Sequence, residues 1–422
     1  MCAKRRIEKL MVVFEGISKY NNTRTGFDEW SVNAMAHTEI KEKKKKRPGK
    51  IRYYDYSLVA ILIFLVCFGL VMLYSTSAYS ALVSHDGDSM YYFKRQLIFC
   101  VAGFAGIYVI SKIDYHWYGK IAKKLYFFSV FLMILVQTPL GKSVNGARRW
   151  IRLPAGQQFQ PAEVAKIAVI LFIPVLICAM GKEMHPLKGI MKVLAWGGFS
   201  AACVYLLTDN LSTAIIVMGI SCIMVFVVHP KTAPFLIVAG GGVTGLLILI
   251  KILGASLANA KSFRLKRIMV WLNPEAYASE GGYQIMQALY AIGSGGFFGK
   301  GLGNSAQKMI IPEVQNDMIL SVICEELGVF GAIVILVLFG MLLYRLLFIA
   351  QNAPDLYGAL IVTGIFAHIA LQVILNVMVV INMIPTTGIT LPFISYGGTS
   401  ILFLMAEMGI ALGVSRRIQF DE

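Results

Sequence analysis

The stretch MILSVICEELGVFGAIVILVLFGMLLYRLLFI, residues 318–349, decides the fold class of this chain. A membrane-spanning helix needs about 20 predominantly apolar residues, and this stretch exceeds that length. Two neighbouring carboxylates inside it, Glu325 and Glu326, are costly to place in a bilayer, which makes them candidates for a functional or structural role. The stretch therefore predicts a membrane helix that carries buried charged groups.

The rest of the chain contains further apolar runs of spanning length. Together with the stretch above they lie at 57–77, 96–113, 124–140, 162–180, 190–208, 211–229, 233–253, 318–349, 356–382 and 397–415. Of the 422 residues, 57% are hydrophobic and 15% charged, whereas soluble domains are nearer ~45–50% and ~25%. The seven cysteines include no CxxC pair and form no disulfide framework or zinc site. We therefore predict an all-α polytopic membrane protein with ten transmembrane helices.

The distribution of Lys and Arg predicts the orientation. Residues 1–56 hold 14 basic and 7 acidic residues directly before the first apolar run, and cytoplasmic segments are enriched in Lys and Arg. If the N-terminus is inside, 25 of the 39 basic residues are cytoplasmic, and an even number of spans brings the C-terminus to the same side. We expect a disordered basic tail at 1–55 that faces anionic lipid and no nucleic acid, a membrane domain at 56–417 and a short cytoplasmic tail at 418–422.

Two segments predicted to lie outside are also basic. One is the loop at 141–160, and the other is a large extracellular loop at 254–316, between helices 7 and 8. Their candidate side chains are Arg148, Arg149, Arg264, Arg267 and Lys308. One interpretation is a tolerated, solvated loop, because long loops escape the positive-inside rule. The interpretation we favour is a site for an anion, such as a phosphate or pyrophosphate headgroup.

Asp317 is the strongest candidate for chemistry, because it opens the 318–349 helix at the outer interface and shares its segment with the basic loop residues. The alternative is that its carboxylate only caps the helix N-terminus. Glu163 and Lys166 lie three residues apart on one helical face, as a structural ion pair or as part of a charged network with Glu325 and Glu326. We expect one of these two glutamates to pair with Lys166 or to line the cavity. No cofactor is indicated, and a divalent cation held by carboxylates and phosphates stays open.

A set of motifs in fixed order resembles one protein family. The motifs are NGARRWI at 145–151, QPAEVAK at 160–166, GYQ at 282–284, AIGSGG at 291–296, EELG at 325–328, PTTG at 385–388 and PFISYGGTS at 392–400. Over roughly residues 55–417 the chain resembles the SEDS family of shape, elongation, division and sporulation proteins. The segment GLGNSAQK at 301–308 is more similar to the division members than to the elongation members.

The resemblance implies a peptidoglycan glycosyltransferase that polymerises lipid II, a disaccharide-pentapeptide on undecaprenyl pyrophosphate, at the outer face of the cytoplasmic membrane. Asp317 matches the essential loop aspartate of the family, and we assign it as the general base that activates a sugar hydroxyl. The basic loop residues would bind the substrate and its pyrophosphate leaving group. The family further implies a class B penicillin-binding protein as transpeptidase partner, other membrane proteins of the division complex, and a position at the septum.

Two other function classes stay open at this point. A lipid II flippase would bind the same headgroup without forming a bond, and a scaffold of the division complex would need no catalytic residue. Polymer formation from lipid II, with and without Asp317, separates these classes from the enzyme.

The predicted topology can be tested with reporter fusions. A reporter that is active only in the cytoplasm should be inactive after Gly254 and active after Glu422, because ten spans place Gly254 outside and both termini inside. The reverse pattern would refute the orientation and the outer location of Asp317.

Overall fold

The computed structural model describes residues 51–84, 87–144, 147–152, 158–184, 186–229 and 263–420, together with Phe235, Ile237, Gly240, Gly241 and Gly245. Most of the predicted tail at 1–55 and most of the predicted seventh span at 233–253 lie outside these residues.

Helices form most of the described chain. They are α1 (Tyr56–Ser84), α2 (Tyr91–Ile110), α3 (Tyr115–Val136), α4 (Pro161–Met180), α5 (Leu187–Thr208), α6 (Leu211–Val228), α7 (Phe263–Leu272), α8 (Gly282–Gly295), α9 (Ile319–Asn352), α10 (Leu356–Val380) and α11 (Ser400–Ser415). Short 3₁₀ turns occur at Gly181–Met184, Ala278–Glu280 and Gln307–Met309.

Seven helices of the described chain are long and apolar enough to cross a membrane, namely α1, α2, α4, α5, α6, α9 and α10. The 22-residue α3 and the 16-residue α11 coincide with two further predicted spans. The chain is therefore a polytopic helical membrane protein, as predicted, while the count of ten helices stays a prediction. Helix α3 begins well before the apolar run at 124–140, because the Asp114 side chain accepts the His116 backbone N–H and caps it there.

Two small antiparallel sheets accompany the helices, which an all-α prediction did not include. The predicted loop at 141–160 contains β2 (Gly141–Val144), β3 (Ala147–Arg152) and β4 (Gln158–Phe159), hydrogen-bonded in the order β2-β3-β4. The pair β1 (Ile51–Arg52) and β5 (Gln419–Phe420) joins the two ends of the membrane domain. Strands this short are stabilised by neighbouring structure, so no alternating apolar pattern marks them in the sequence.

The helices that matter for the site run in alternating directions. The start of α9 lies beside the end of α10, where the Asn376 side chain donates to the Asp317 backbone oxygen at 2.9 Å. The far part of α9 lies beside the start of α1, where Arg345 pairs with the buried Asp55 at 2.7 Å. We call these two ends of the helical bundle the Asp317 end and the opposite end.

Helix α9 is broken at Gly328, whose φ is 70° and ψ −172°. Four backbone hydrogen bonds of 2.9–3.0 Å join residues 296–301 to residues 325–330 on both sides of the break. The segment after α8 therefore satisfies backbone groups that the interrupted helix leaves without intrahelical partners. A Cβ on Gly328 would overlap the Phe297 carbonyl oxygen, so the close approach of the two chains requires glycine.

This break predicts a matched pair of stability effects. Gly328→Ala should lower the free energy of unfolding by about 2–5 kcal/mol, because a left-handed φ costs about 1–2 kcal/mol and the overlap about 1–3 kcal/mol more. Gly340→Ala lies in the same helix, where a Cβ meets open space, and should leave stability unchanged or raise it by up to about 1 kcal/mol. Unfolding of the two detergent-purified variants measures this, and equal stabilities would contradict the packing described.

Candidate functional site

Asp317 lies just outside α9 and does not cap it. The N-cap position is Met318, which makes no side-chain capping hydrogen bond. The alternative that Asp317 serves only as a helix cap is therefore wrong. Its carboxylate is only partly exposed and faces other loop segments of the Asp317 end.

Two amide side chains hold the backbone around Asp317. Asn376 Nδ2 of α10 donates to the Asp317 carbonyl at 2.9 Å and to the Ile389 carbonyl at 2.7 Å. Gln284 Nε2 of α8 donates to the Pro312 carbonyl at 3.2 Å and lies 3.5 Å from Asp317 Oδ1. The aspartate is thus fixed by a transmembrane helix on one side and by the helix of the preceding loop on the other.

The connection between α10 and α11, residues 381–399, forms another wall of the site. A Cβ placed on Gly388 would be 3.8 Å from Asp317 Oδ2, so the backbone runs close to the carboxylate. Ser212 Oγ at the start of α6 donates to the Thr387 carbonyl at 2.9 Å, and Tyr396 N–H donates to the Gln315 carbonyl at 2.9 Å. These bonds hold the connection against the loop that carries Asp317.

Helix α7 brings a cation to the same place. Arg267 donates to the Thr386 carbonyl at 3.2 Å, and the Trp271 indole N–H donates to the Asn382 carbonyl at 3.0 Å. Since both partners belong to the connection 381–399, α7 is docked over the site. The Arg267 guanidinium is near enough to Asp317 for its charge to act on the titration of the carboxyl.

The pKa of Asp317 is raised from its ordinary value to about 6. Burial of the carboxylate is the main cause, and the negative charge of Glu313 adds to it. A backbone hydrogen bond, the Arg267 charge and the Gln284 amide act in the other direction and favour the ionised form. At neutral pH the group is mostly ionised and more basic than an ordinary aspartate, which is a property expected of a proton acceptor.

The four residues predicted as one charged network form two separate groups. Glu163 and Lys166 make a buried ion pair of 3.0 Å within α4, the structural alternative named above. Glu325 and Glu326, both 0% exposed, pair instead with lysines of the loop before α9. The alternative that one of them pairs with Lys166 is therefore wrong, because Lys166 pairs with Glu163 and the loop supplies the cations. The alternative that one of them lines the cavity stays a prediction.

The carboxylates of α9 hold the loop at 299–309, which we call the clamped loop. Glu325 accepts from Lys300 Nζ at 2.7 Å, from the Ser305 hydroxyl and from the backbone N–H groups of residues 306 and 307. Glu326 accepts from Lys308 Nζ at 3.0 Å and from Ser75 Oγ of α1 at 2.7 Å. Adjacent helical residues point about 100° apart, so the two carboxylates reach different parts of the loop.

Lys308, a predicted substrate-binding residue, is 9% exposed and is engaged within the protein. Besides Glu326 its ammonium donates to the Gly303 carbonyl at 2.6 Å and to Ser75 Oγ at 3.2 Å. These contacts give Lys308 a structural task in the clamped loop. The sequence favoured an anion-binding role for Lys308 because it does not reveal that Glu326, 18 residues further on, faces this lysine.

The other predicted cations are distributed over the Asp317 end. Arg149 of β3 donates to the Asp209 carbonyl at 2.9 Å, and the exposed Arg148 lies 3.5 Å from the Gln137 carbonyl. The Arg264 backbone belongs to α7, and its side chain is not among those described. Among the described side chains of these residues, Arg267 is the one whose positive charge lowers the pKa of Asp317.

Several functional neighbours escaped the sequence analysis. Gln284, Asn376 and Gly388 enclose Asp317, and the available signal was an amide side chain inside the apolar helix α10. Glu407 of α11 is also paired, with His368 Nδ1 at 2.8 Å. Among the described residues, no three His, Cys, Asp or Glu side chains converge to hold a metal ion.

Comparison with known proteins yields consistent matches. The model of the FtsW, RodA and SpoVE family, described as cell cycle proteins, matches residues 56–419. The chain is 39% identical to stage V sporulation protein E of Bacillus subtilis, over 86% of this chain and 97% of the relative. It is 37% identical to a probable peptidoglycan glycosyltransferase FtsW of Trichlorobacter lovleyi, over 88% and 95%. A solved structure of a peptidoglycan synthase complex that coordinates polymerization and crosslinking contains a similar chain, with TM-score 0.68, 27% identity and coverage of 86% and 98%.

The electrostatics of the site predict opposite shifts in two variants. The Asp317 carboxyl should titrate near pH 6 in the wild type. Its pKa should be higher in Arg267→Gln, because a positive charge that stabilises the carboxylate is lost. Its pKa should be lower in Glu313→Gln, because a negative charge that repels the carboxylate is lost. Infrared difference spectra of the carboxyl bands, with Asp317→Asn as the subtracted reference, measure each value. A titration near pH 4 in all three proteins would contradict the burial of this carboxylate.

Proposed function

The chain belongs to the FtsW, RodA and SpoVE family of cell cycle proteins, and from this membership we propose that it polymerises lipid II into β-1,4-linked glycan strands. It is a peptidoglycan glycosyltransferase, in agreement with relatives of that name at 35–37% identity over most of the chain. The observation that carries the proposed mechanism is Asp317: Asn376 holds its backbone oxygen, the Gln284 amide lies 3.5 Å from its carboxylate, and its pKa is raised to about 6.

In the proposed reaction Asp317 is the general base. Its carboxylate takes the proton from the 4-hydroxyl of the acceptor sugar as that oxygen attacks the anomeric carbon of the donor. The bond from the anomeric carbon to the pyrophosphate oxygen breaks, and undecaprenyl pyrophosphate leaves with the bonding electrons. An α-linked donor gives a β-linked product by this single inversion, so one carboxylate is sufficient and no covalent intermediate is needed.

Negative charge develops on the leaving pyrophosphate and requires cations nearby. Arg267, docked over the site by its bond to Thr386, is the best placed of the proposed substrate-binding residues. We retain Arg148, Arg149 and Arg264 in the same proposed role and assign Lys308 to shaping the clamped loop that precedes Asp317. A divalent cation brought by the substrate phosphates remains an open part of the proposal.

The orientation belongs to the same proposal, with ten helices, both termini in the cytoplasm, and Asp317 with the loop at 254–316 outside. The opposite end carries Lys112, Arg345, Arg416 and Arg417, which supports a cytoplasmic location for it. Both sugar substrates are anchored by lipid tails, so an outer interfacial site suits donor and acceptor alike.

We propose a class B penicillin-binding protein as the crosslinking partner, in a complex with other division proteins at the septum. The similar synthase complex, which coordinates polymerization and crosslinking, supports a partnership of this kind. Relatives named FtsW favour division, whereas the relative named stage V sporulation protein E makes sporulation the second candidate for the same chemistry.

The role of Asp317 predicts a loss of turnover without a loss of binding. Asp317→Asn preserves size and most hydrogen bonding but removes basicity, so polymerisation of lipid II by the purified protein with its transpeptidase should fall by ~10²–10⁴-fold. Lipid II binding should change little, while Arg267→Gln should weaken binding and rate together.

The matched control is Glu275→Gln, which removes an exposed carboxylate of the loop at 254–316 and should keep polymerisation within a few-fold. The wild-type rate should also decline below about pH 6, as protonation of Asp317 removes the base. An active Asn variant would refute the general base, and lipid II transport without any polymer would favour a flippase. Unchanged cell growth of Asp317→Ala would favour a scaffold.

A further inference from the structure

The opposite end of the bundle contains a polar recess unrelated to Asp317. It has a volume of about 370 Å³ and lies between the last residues of α2 and α11 and the first residues of α3 and α10. Its lining includes Lys112, His116, Asp355, Arg416 and Arg417. A volume of this size is within the range of small-molecule sites, roughly 300–1,000 Å³.

The carboxylates of this region already have partners within the protein. Asp355 caps α10 by accepting the Gly358 N–H at 2.7 Å and also lies 3.0 Å from His116 Nε2. Asp114, which caps α3, lies 2.8 Å from His116 Nδ1 and pairs with Arg417 at 2.8 Å. The His116 imidazole thus contacts both carboxylates, and the Arg417 guanidinium contacts Asp114.

Two cations remain in the recess without a carboxylate partner among the described residues. Lys112 Nζ lies 3.7 Å from the centre of the Tyr108 ring, and Arg416 donates to the Ser111 carbonyl at 3.4 Å. Lys112 and Arg416 follow the C-termini of α2 and α11, and a C-terminal dipole is equivalent to only about half a negative charge, so the two dipoles offset about half of the positive charge. The recess thus carries an excess of positive charge that the described residues do not neutralise.

We propose that this recess binds a phosphate group, held mainly by Lys112 and Arg416. A guanidinium presents paired N–H donors that match phosphate oxygens, and an ammonium adds a compact charge. The phosphate is either the headgroup of an anionic lipid or a free phosphate. The lipid headgroup suits a basic recess between transmembrane helix ends on the side that the charge distribution predicts to be cytoplasmic. This site is independent of the proposed glycosyltransferase mechanism.

The test compares two double variants of the full chain in detergent. Lys112→Gln/Arg416→Gln removes the proposed ligands, and Lys120→Gln/Lys123→Gln removes two exposed lysines of α3 that do not line the recess. Binding of short-chain phosphatidylglycerol, short-chain phosphatidylcholine and inorganic phosphate is measured by native mass spectrometry and calorimetry. All replaced side chains are exposed, and thermal unfolding verifies that both variants are folded.

We expect the anionic lipid to bind the wild type and the control equally, and the recess variant at least about tenfold more weakly, since two charge-assisted contacts are lost. If inorganic phosphate also binds the recess variant more weakly than the control, and the wild type does not prefer the lipid, the result would support the recess with free phosphate as its ligand. Equal weakening in both double variants would overturn the proposal in favour of diffuse attraction between surface charges. Absence of saturable binding of either anionic probe to the wild type would also overturn it.

Discussion

The neutralisation of two adjacent buried carboxylates is the constraint on which the Asp317 end depends. Placing a charge at the centre of a membrane helix costs at least ~2.5–3.5 kcal/mol, and Glu325 and Glu326 are fully enclosed. Their lysine partners belong to a loop, so that loop has to lie against the helix for the helix to be tolerated. The break at Gly328 then admits the loop backbone, and the short first half of α9 is fixed at both ends. The position of Asp317 therefore depends on ion pairs of the helix that follows it.

The surroundings of Asp317 combine opposing influences. Burial alone would keep the carboxyl protonated, and a directly paired cation alone would make it a weak base. Arg267 influences Asp317 by its charge while its N–H bonds to the Thr386 carbonyl, and the Gln284 amide is only 3.5 Å away. The partial compensation leaves a group that is ionised at neutral pH and still accepts a proton readily, which is the balance that general base catalysis requires.

The sequence was sufficient for features that depend on composition and on local order along the chain. Apolar runs located the seven helices of the described chain that are long and apolar enough to span a membrane, and the ordered motifs between residues 145 and 400 identified the family. It was insufficient where remote segments meet. Lys308 was predicted to bind an anion, whereas the structure pairs it with Glu326, and the His368–Glu407 pair joins residues 39 positions apart. Asn376 and Gly388 lie 59 and 71 residues after Asp317 in the sequence, so a local pattern does not predict their proximity to it.

The pairing of Ile51–Arg52 with Gln419–Phe420 places both ends of the membrane domain on adjacent strands. Neighbouring strands are about 4.8 Å apart, so the path of the chain through the bilayer is nearly a closed ring. A linker of a few residues is long enough to seal that ring, and the chain could then be opened at an exposed turn elsewhere in a circular permutant. The same geometry means that the described chain enters and leaves the bundle at adjacent positions, residues 51 and 420.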